Sequence, residues 1–246
     1  MKKLPFPGTG APGRNCPKGH APSCAFTLIE LLVVIAIIAI LAAVVFPLGQ
    51  GALRSAAAGR ALSNMKQTGV ILANYAAENN NRFPPSADWG GIIYGGRAVF
   101  FQRTLNDFAG FSWNTNRPDT PLADIFYDPV LKGKRQHPWG GFAVNTSVVL
   151  NTWDCRRFGS EAGIPVAAIP NPSSKVVYCS ARDSSWDSTW IFVGNDFAQQ
   201  GWQTNSGPDP RYNGLAAGLF ADGHVETLDV KNMDQAKRRK LFTLDP

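Results

Sequence analysis

The sequence predicts an α+β protein: a long N-terminal helical stem, apolar in its first half, and a C-terminal head of antiparallel sheet and long loops. Three observations carry this. Phe26 to Pro47 reads FTLIELLVVIAIIAILAAVVFP, with no charge and no hydrogen-bonding side chain between Leu31 and Phe46. From Gly49 to about Asn79 the apolar residues recur at helical spacing. Beyond Pro85, short apolar runs alternate with clusters of Gly, Pro, Asn and Asp, the pattern of strands joined by loops.

Residues 1–25 carry Pro5, Pro7, Pro12, Pro17 and Pro22 with scattered Gly and no apolar period, so they are expected to be a disordered leader. Lys2, Lys3, Arg14 and Lys18 are its only charges. The whole chain has a formal charge of +6, and without the leader 6 − 4 = +2 remains. That gives nucleic acid little to bind, and no nucleic-acid partner is expected. Cations before a first apolar span instead hold that end in the cytoplasm. Cys16, His20 and Cys24 also lie in this leader, and no metal site is expected of them.

The apolar run is long enough to cross a bilayer core of about 30 Å at about 1.5 Å rise per residue. In lipid it must be helical, because an open segment has no other way to satisfy its own backbone. Glu30 spoils a plain anchor, since a carboxylate at membrane depth requires a headgroup region or a partner. A secretory signal peptide fits poorly: the run is too long and its charges lie too far upstream. An ordinary single-span anchor, with Glu30 snorkelling to the interface, is the competing reading.

The stretch Ala25-Phe26-Thr27-Leu28-Ile29-Glu30, followed by the long apolar run, resembles the prepilin processing site of type IV pilins and type II secretion pseudopilins. The resemblance implies that a prepilin peptidase cuts between Ala25 and Phe26 and that the new N-terminus is methylated. It also implies that Glu30 pairs with the N-terminal amine of a neighbouring subunit in a filament. Pro47 stands where many members carry a helix-kinking proline. Members usually have Gly before the cut, and this chain has Ala25. The implied partners are the peptidase, other pilin-like subunits, an inner-membrane assembly platform and membrane lipid. The implied organisation is a removed leader over 1–25, a transmembrane and filament-core helix over 26–47, an amphipathic stem over 48–82 and a head over 83–246. The chain would cross the bacterial inner membrane once, with its N-terminus cytoplasmic and its head periplasmic or extracellular.

In the stem, Leu53, Ala57, Leu62, Met65, Gly69, Leu72, Tyr75 and Ala76 form the expected packed face. A bend or melted turn is expected near Pro47-Leu48-Gly49-Gln50-Gly51. Asn79-Asn80-Asn81 and Pro84-Pro85 end the helix. In the head, a short helix is expected near Ala98–Phe108. Strands are expected at Phe142–Leu150, Lys175–Ser180, Trp190–Gly194, Leu215–Phe220 and His224–Leu228. All seven tryptophans (Trp89, Trp113, Trp139, Trp153, Trp186, Trp190, Trp202) fall in the head, where core filling is the default and a carbohydrate platform the alternative.

Cys155 and Cys179 are the cysteines that remain after processing. In an oxidising compartment they are expected to pair, closing a loop of 179 − 155 = 24 residues worth about 3 kcal/mol. Two buried thiols are the alternative. Leu219-Phe220-Ala221-Asp222-Gly223-His224-Val225 carries the second motif, and Asp-Gly between apolar runs predicts a hairpin with a primed turn. This segment resembles the C-terminal signature of a large-headed pilin-like subgroup, in which a His precedes the Asp-Gly pair with nine residues between them. Here that position is Tyr212.

No serine elbow, zinc helix motif or phosphate loop is present, and no catalysis is expected. No cofactor is expected either. Calcium is the one candidate, since some pseudopilins hold it in a head loop and Asp183, Asp187 and Asp196 could supply oxygen ligands. The expected function is therefore a pilin or pseudopilin subunit of a type II secretion or type IV pilus-like filament. A membrane-tethered binding or hydrolytic domain using the Trp-rich head is the alternative.

Overall fold

The structure, a computed structural model, describes residues 27–88, 99–111, 122–131, 141–150, 152–155, 163–183, 191–192, 194–200 and 206–245. It divides into two units, Met1–Pro47 and Leu48–Pro246. Helix α1 runs from Leu28 to Glu78, with helical backbone through Pro47 to Gly51, so no turn is melted there. Its end follows from the asparagines. Asn80 and Asn81 adopt φ of 56° and 55°, a left-handed pair that stops the helix. The Asn81 N–H closes back on the Ala76 carbonyl at 2.9 Å.

In the first unit, the apolar side chains from Leu28 to Val44 are covered by nothing; exposure runs from 47% at Val34 to 81% at Leu28. Among the described residues no helix is long and apolar enough to cross a membrane. The apolar run of the sequence continues through Val45, Phe46 and Pro47, whose side chains lie outside the described residues.

The second unit is a helix–sheet–helix arrangement. Strands β1 (Ala87–Asp88) and β2 (Val99–Phe100) form a small antiparallel pair ahead of α2 (Phe101–Phe108). The main sheet contains β3 (Phe142–Asn145), β4 (Val176–Asp183), β5 (Ile191–Phe192), β6 (Ser206–Pro208), β7 (Ala216–Phe220) and β8 (Val225–Leu228). It is ordered β5-β3-β4-β7-β8, and β6 pairs with the far end of β4. All pairings are antiparallel except β3 with β5. The expected strands are there, several of them shorter than expected, and the expected helix near 98–108 is α2. Short helices α3 (Thr152–Cys155) and α4 (Gly194–Gln200) and a C-terminal α5 (Gln235–Phe242) complete the fold.

Strand alternation splits the core in two. Phe142, Val144, Tyr178, Ala217 and Leu219 face Ala61, Met65, Leu72, Tyr75 and Ala76 of α1, together with Phe101 and Leu105 of α2. Ala143, Val176, Cys179, Ala216 and Phe220 face the other way, onto Phe197 of α4 and Leu241 and Phe242 of α5. Phe197 and Phe242 meet edge to face at 4.9 Å. A β-bulge in β4, where Val176 opposes Phe220 but Tyr178 opposes Leu219, puts Val177 and Tyr178 into the same cluster. Of the expected stem face, Leu53 is 72% exposed instead of packed. The buried seam begins at Ala61 and includes Thr68.

The second layer, α5, is held by its C-terminal carbonyls. Lys175 is fully buried, and its Nζ donates to Lys240 O at 2.8 Å and to Asp245 O. Asn145 Nδ2 donates to Phe242 O at 3.0 Å and to Val176 O at 2.9 Å. Side-chain donors thus take the place of the helical N–H groups that a helix end lacks. Asp234 caps the other end, accepting from the Lys237 N–H at 2.7 Å.

The expected Cys155–Cys179 bridge is absent: both residues are buried thiols. Cys155 lies in the α1-side cluster and Cys179 in the α5-side cluster, so the sheet separates them. Burial pushes the Cys179 thiol far up, which keeps it protonated.

Candidate functional site: the helix start and the hairpin turn

Two places gather the residues that the sequence singles out. The first is the start of α1. Thr27 precedes the first helical residue, and Glu30 lies in the first turn. The Thr27 N–H donates to Glu30 Oε2 at 2.8 Å, and the Thr27 hydroxyl donates to the same oxygen at 2.8 Å. In return the Glu30 N–H donates to Thr27 Oγ1 at 3.3 Å. This is a reciprocal capping box: the side chain at each end satisfies a backbone N–H of the other. The carboxylate also sits at the positive end of the helix dipole. Sequence reasoning singled out Glu30 and passed over Thr27, although Thr-x-x-Glu ahead of an apolar run is the signal for this motif. Ala25 and Phe26 lie outside the described residues, as do the side chain of Pro47 and those of all seven tryptophans.

The second place is the turn between β7 and β8. A primed two-residue turn was expected at Asp222-Gly223, and the structure corrects this. Phe220 N donates to His224 O and Gly223 N to Phe220 O, both at 2.9 Å, so the loop has three residues closed by Gly223 at φ 87°. Asp222 stays out of the left-handed region because its carboxylate serves the residue two places on. Its Oδ1 accepts from His224 N at 3.1 Å and meets His224 Nδ1 at 2.6 Å. Burial acts to raise the Asp222 carboxyl, but the His224 N–H and ring outweigh it and hold the carboxyl below its ordinary value. The His224 ring stacks on Phe220 at 4.1 Å. The primed turn is instead at Asn213-Gly214, with φ of 52° and 90°, where Tyr212 and Leu215 exchange two 3.0 Å hydrogen bonds.

Both turns rest on the stem. Lys66 Nζ donates to Gly223 O at 2.9 Å, and Asn213 Nδ2 donates to Ser55 Oγ at 3.1 Å. Gly69 makes room for the sheet: a Cβ there would stand 2.9 Å from Leu219 Cδ1. Asn64 Nδ2 adds a hydrogen bond to Tyr127 O at 3.2 Å. Tyr212, at the position of the subgroup's His, is buried beside Asp128; burial and then that carboxylate push its phenol up. Arg211 joins Asp128 at 3.2 Å to Asp209 at 2.7 Å. Burial raises the Asp128 carboxyl, with Arg211 opposing. These contacts tie loops to the sheet and to the stem.

Of the calcium candidates, only Asp196 has a described side chain. Asp183 ends β4, Asp196 is exposed on α4 and Asp187 lies outside the described residues. Among the described residues no group of three or more His, Cys, Asp or Glu could hold a metal ion.

No curated protein and no solved structure matches the chain. Residues 21–46 match the prokaryotic N-terminal methylation motif, so the chain carries the N-terminal signature of type IV pilins and pseudopilins.

Proposed function

We propose that this chain is a structural subunit of a type II secretion or type IV pilus-like filament, without catalytic activity of its own. One observation carries the reading. From Leu28 to Val44 the helix that bears the methylation motif is apolar on every side, its large apolar side chains are exposed, and Glu30 is the one ionised side chain. Such a surface needs a non-aqueous neighbour, first lipid and then the stems of other subunits. In this scheme a prepilin peptidase removes residues 1–25, Phe26 is methylated, and the helix holds the chain in the inner membrane with the head outside the cytoplasm. An assembly platform then transfers the helix into a filament, where the amine of a neighbouring Phe26 compensates Glu30. The head presents the outer surface, braced on the stem through Lys66 and Gly69. The test compares cells with and without the peptidase: N-methyl-Phe26 at the mature N-terminus and peptidase-dependent filaments are expected. Intact Met1 in membrane-extracted protein would overturn the reading.

A further inference from the structure

We propose that the Thr27–Glu30 capping box sets the processing register by keeping α1 from running back across the Ala25–Phe26 bond, which makes Thr27 a positioning residue for cleavage. This rests on the processing reading above and adds a determinant to it. Among the described residues the first carbonyl taken into the helix is that of Thr27, which accepts from Glu30 N at 3.1 Å and from Leu31 N at 3.3 Å. Helix α1 begins at Leu28, two residues beyond Phe26 in the sequence.

The sequence allows one other start. From Leu28 to Arg54 there is no Ser, Thr, Asp or Asn, so that stretch offers no side-chain cap. Upstream, the nearest is Ser23, directly after Pro22. A helix capped there would take Cys24, Ala25 and Phe26 as its first turn. The Ala25 carbonyl would then accept from the Ile29 N–H, locking the scissile amide in the ladder. Ala25 cannot prevent this, being the residue most favourable to helix. The stop signal thus falls to Thr27 and Glu30.

Cleavage itself adds water across the Ala25–Phe26 amide, leaving a carboxyl group on Ala25 and an amine on Phe26. A peptidase must reach that carbonyl, so a residue that keeps it outside the ladder controls the rate without touching the reacting atoms.

The experiment incubates the full-length chain in phospholipid vesicles with a prepilin peptidase and follows the N-terminus by mass spectrometry. Thr27→Ala is expected to slow cleavage about fivefold, the ratio that one typical N-cap represents. Thr27→Ser should restore the rate. So should Ala25→Gly added to Thr27→Ala, because glycine breaks the helix at the cut without supplying a hydroxyl. Wild-type cleavage of Thr27→Ala would overturn the proposal. So would failure of Ala25→Gly to rescue, since the peptidase would then be reading the hydroxyl directly. Absence of any cut at Ala25–Phe26 in the wild-type chain would overturn the processing reading, and the proposal with it.

Discussion

Lys66, on the stem, donates its ammonium to the carbonyl of Gly223, at the tip of the β7–β8 turn, over 2.9 Å. One turn of helix away, Gly69 lies against Leu219 of the same hairpin, where a Cβ would come within 2.9 Å of Leu219 Cδ1. The hairpin is therefore seated on the stem by a hydrogen bond and by the absence of a side chain. Lys66→Met should cost about 0.5–1.5 kcal/mol, the net worth of one hydrogen bond. Gly69→Leu should cost about 1–3 kcal/mol as an overpacked contact. Gly69→Ala should cost less, because only the end of the Leu219 side chain must give way. Urea unfolding of the head beginning at Leu48 measures all three, and an unchanged midpoint for Gly69→Leu would show that the contact is loose.

Glu30 gives a prediction that separates tolerance from function. If the carboxylate were only tolerated, Glu30→Leu would make the helix more apolar and leave assembly unharmed. In the proposed filament its loss leaves a neighbour's ammonium buried without a partner, which costs about 3–5 kcal/mol. Thr27 Oγ1 can still accept from the N–H of residue 30 in this variant, so cleavage, slowed by loss of the other half of the capping box, and insertion should persist. The expected result is a processed, inserted and stable chain that does not assemble with wild-type subunits, read by cross-linking between stems in the membrane.

The thiols offer a direct check of the core. Cys155 and Cys179 lie in separate clusters on either side of the sheet, so freshly isolated mature protein should alkylate at both positions after denaturation without reductant. In the folded protein Cys179 should resist alkylation, since burial keeps it as the thiol and out of reach. A mass unchanged by alkylator under denaturing conditions would place a bridge there and require the sheet to repack.

Asp222 ties the turn to pH. Its carboxyl is held below the ordinary value of 3.8, so the folded state favours the ionised form. The contribution is complete above that ordinary value and disappears as pH falls through the depressed one. Asp222→Asn should therefore be less stable than wild type by a constant margin from neutral pH down to about pH 4, and the margin should close in stronger acid. Chemical unfolding at a series of pH values tests this, and a margin that widens in acid would contradict the pairing.

The sequence by itself determined the linear features. The uninterrupted apolar run, Glu30 and the methylation motif follow from residue order alone, as does the end of α1 at its asparagines. Strand positions were legible because apolar runs bounded by Gly, Asn and Asp have few other uses. The capping box was equally legible in Thr27-x-x-Glu30, since its partners lie three residues apart. Tertiary structure decided what depends on neighbours distant in sequence. Whether Cys155 meets Cys179 turns on which face of β4 each addresses, and the bulge at Val177 shows how one extra residue alters that alternation. Two turns of similar composition, Asn213-Gly214 and Asp222-Gly223, took different forms because His224 claims the Asp222 carboxylate. Helix α5 has an apolar face too short to announce itself, and it is held by Lys175 and Asn145, whose bonds to it span 65 and 97 residues. Such partners are brought together only by the folded sheet, so no local pattern encodes them.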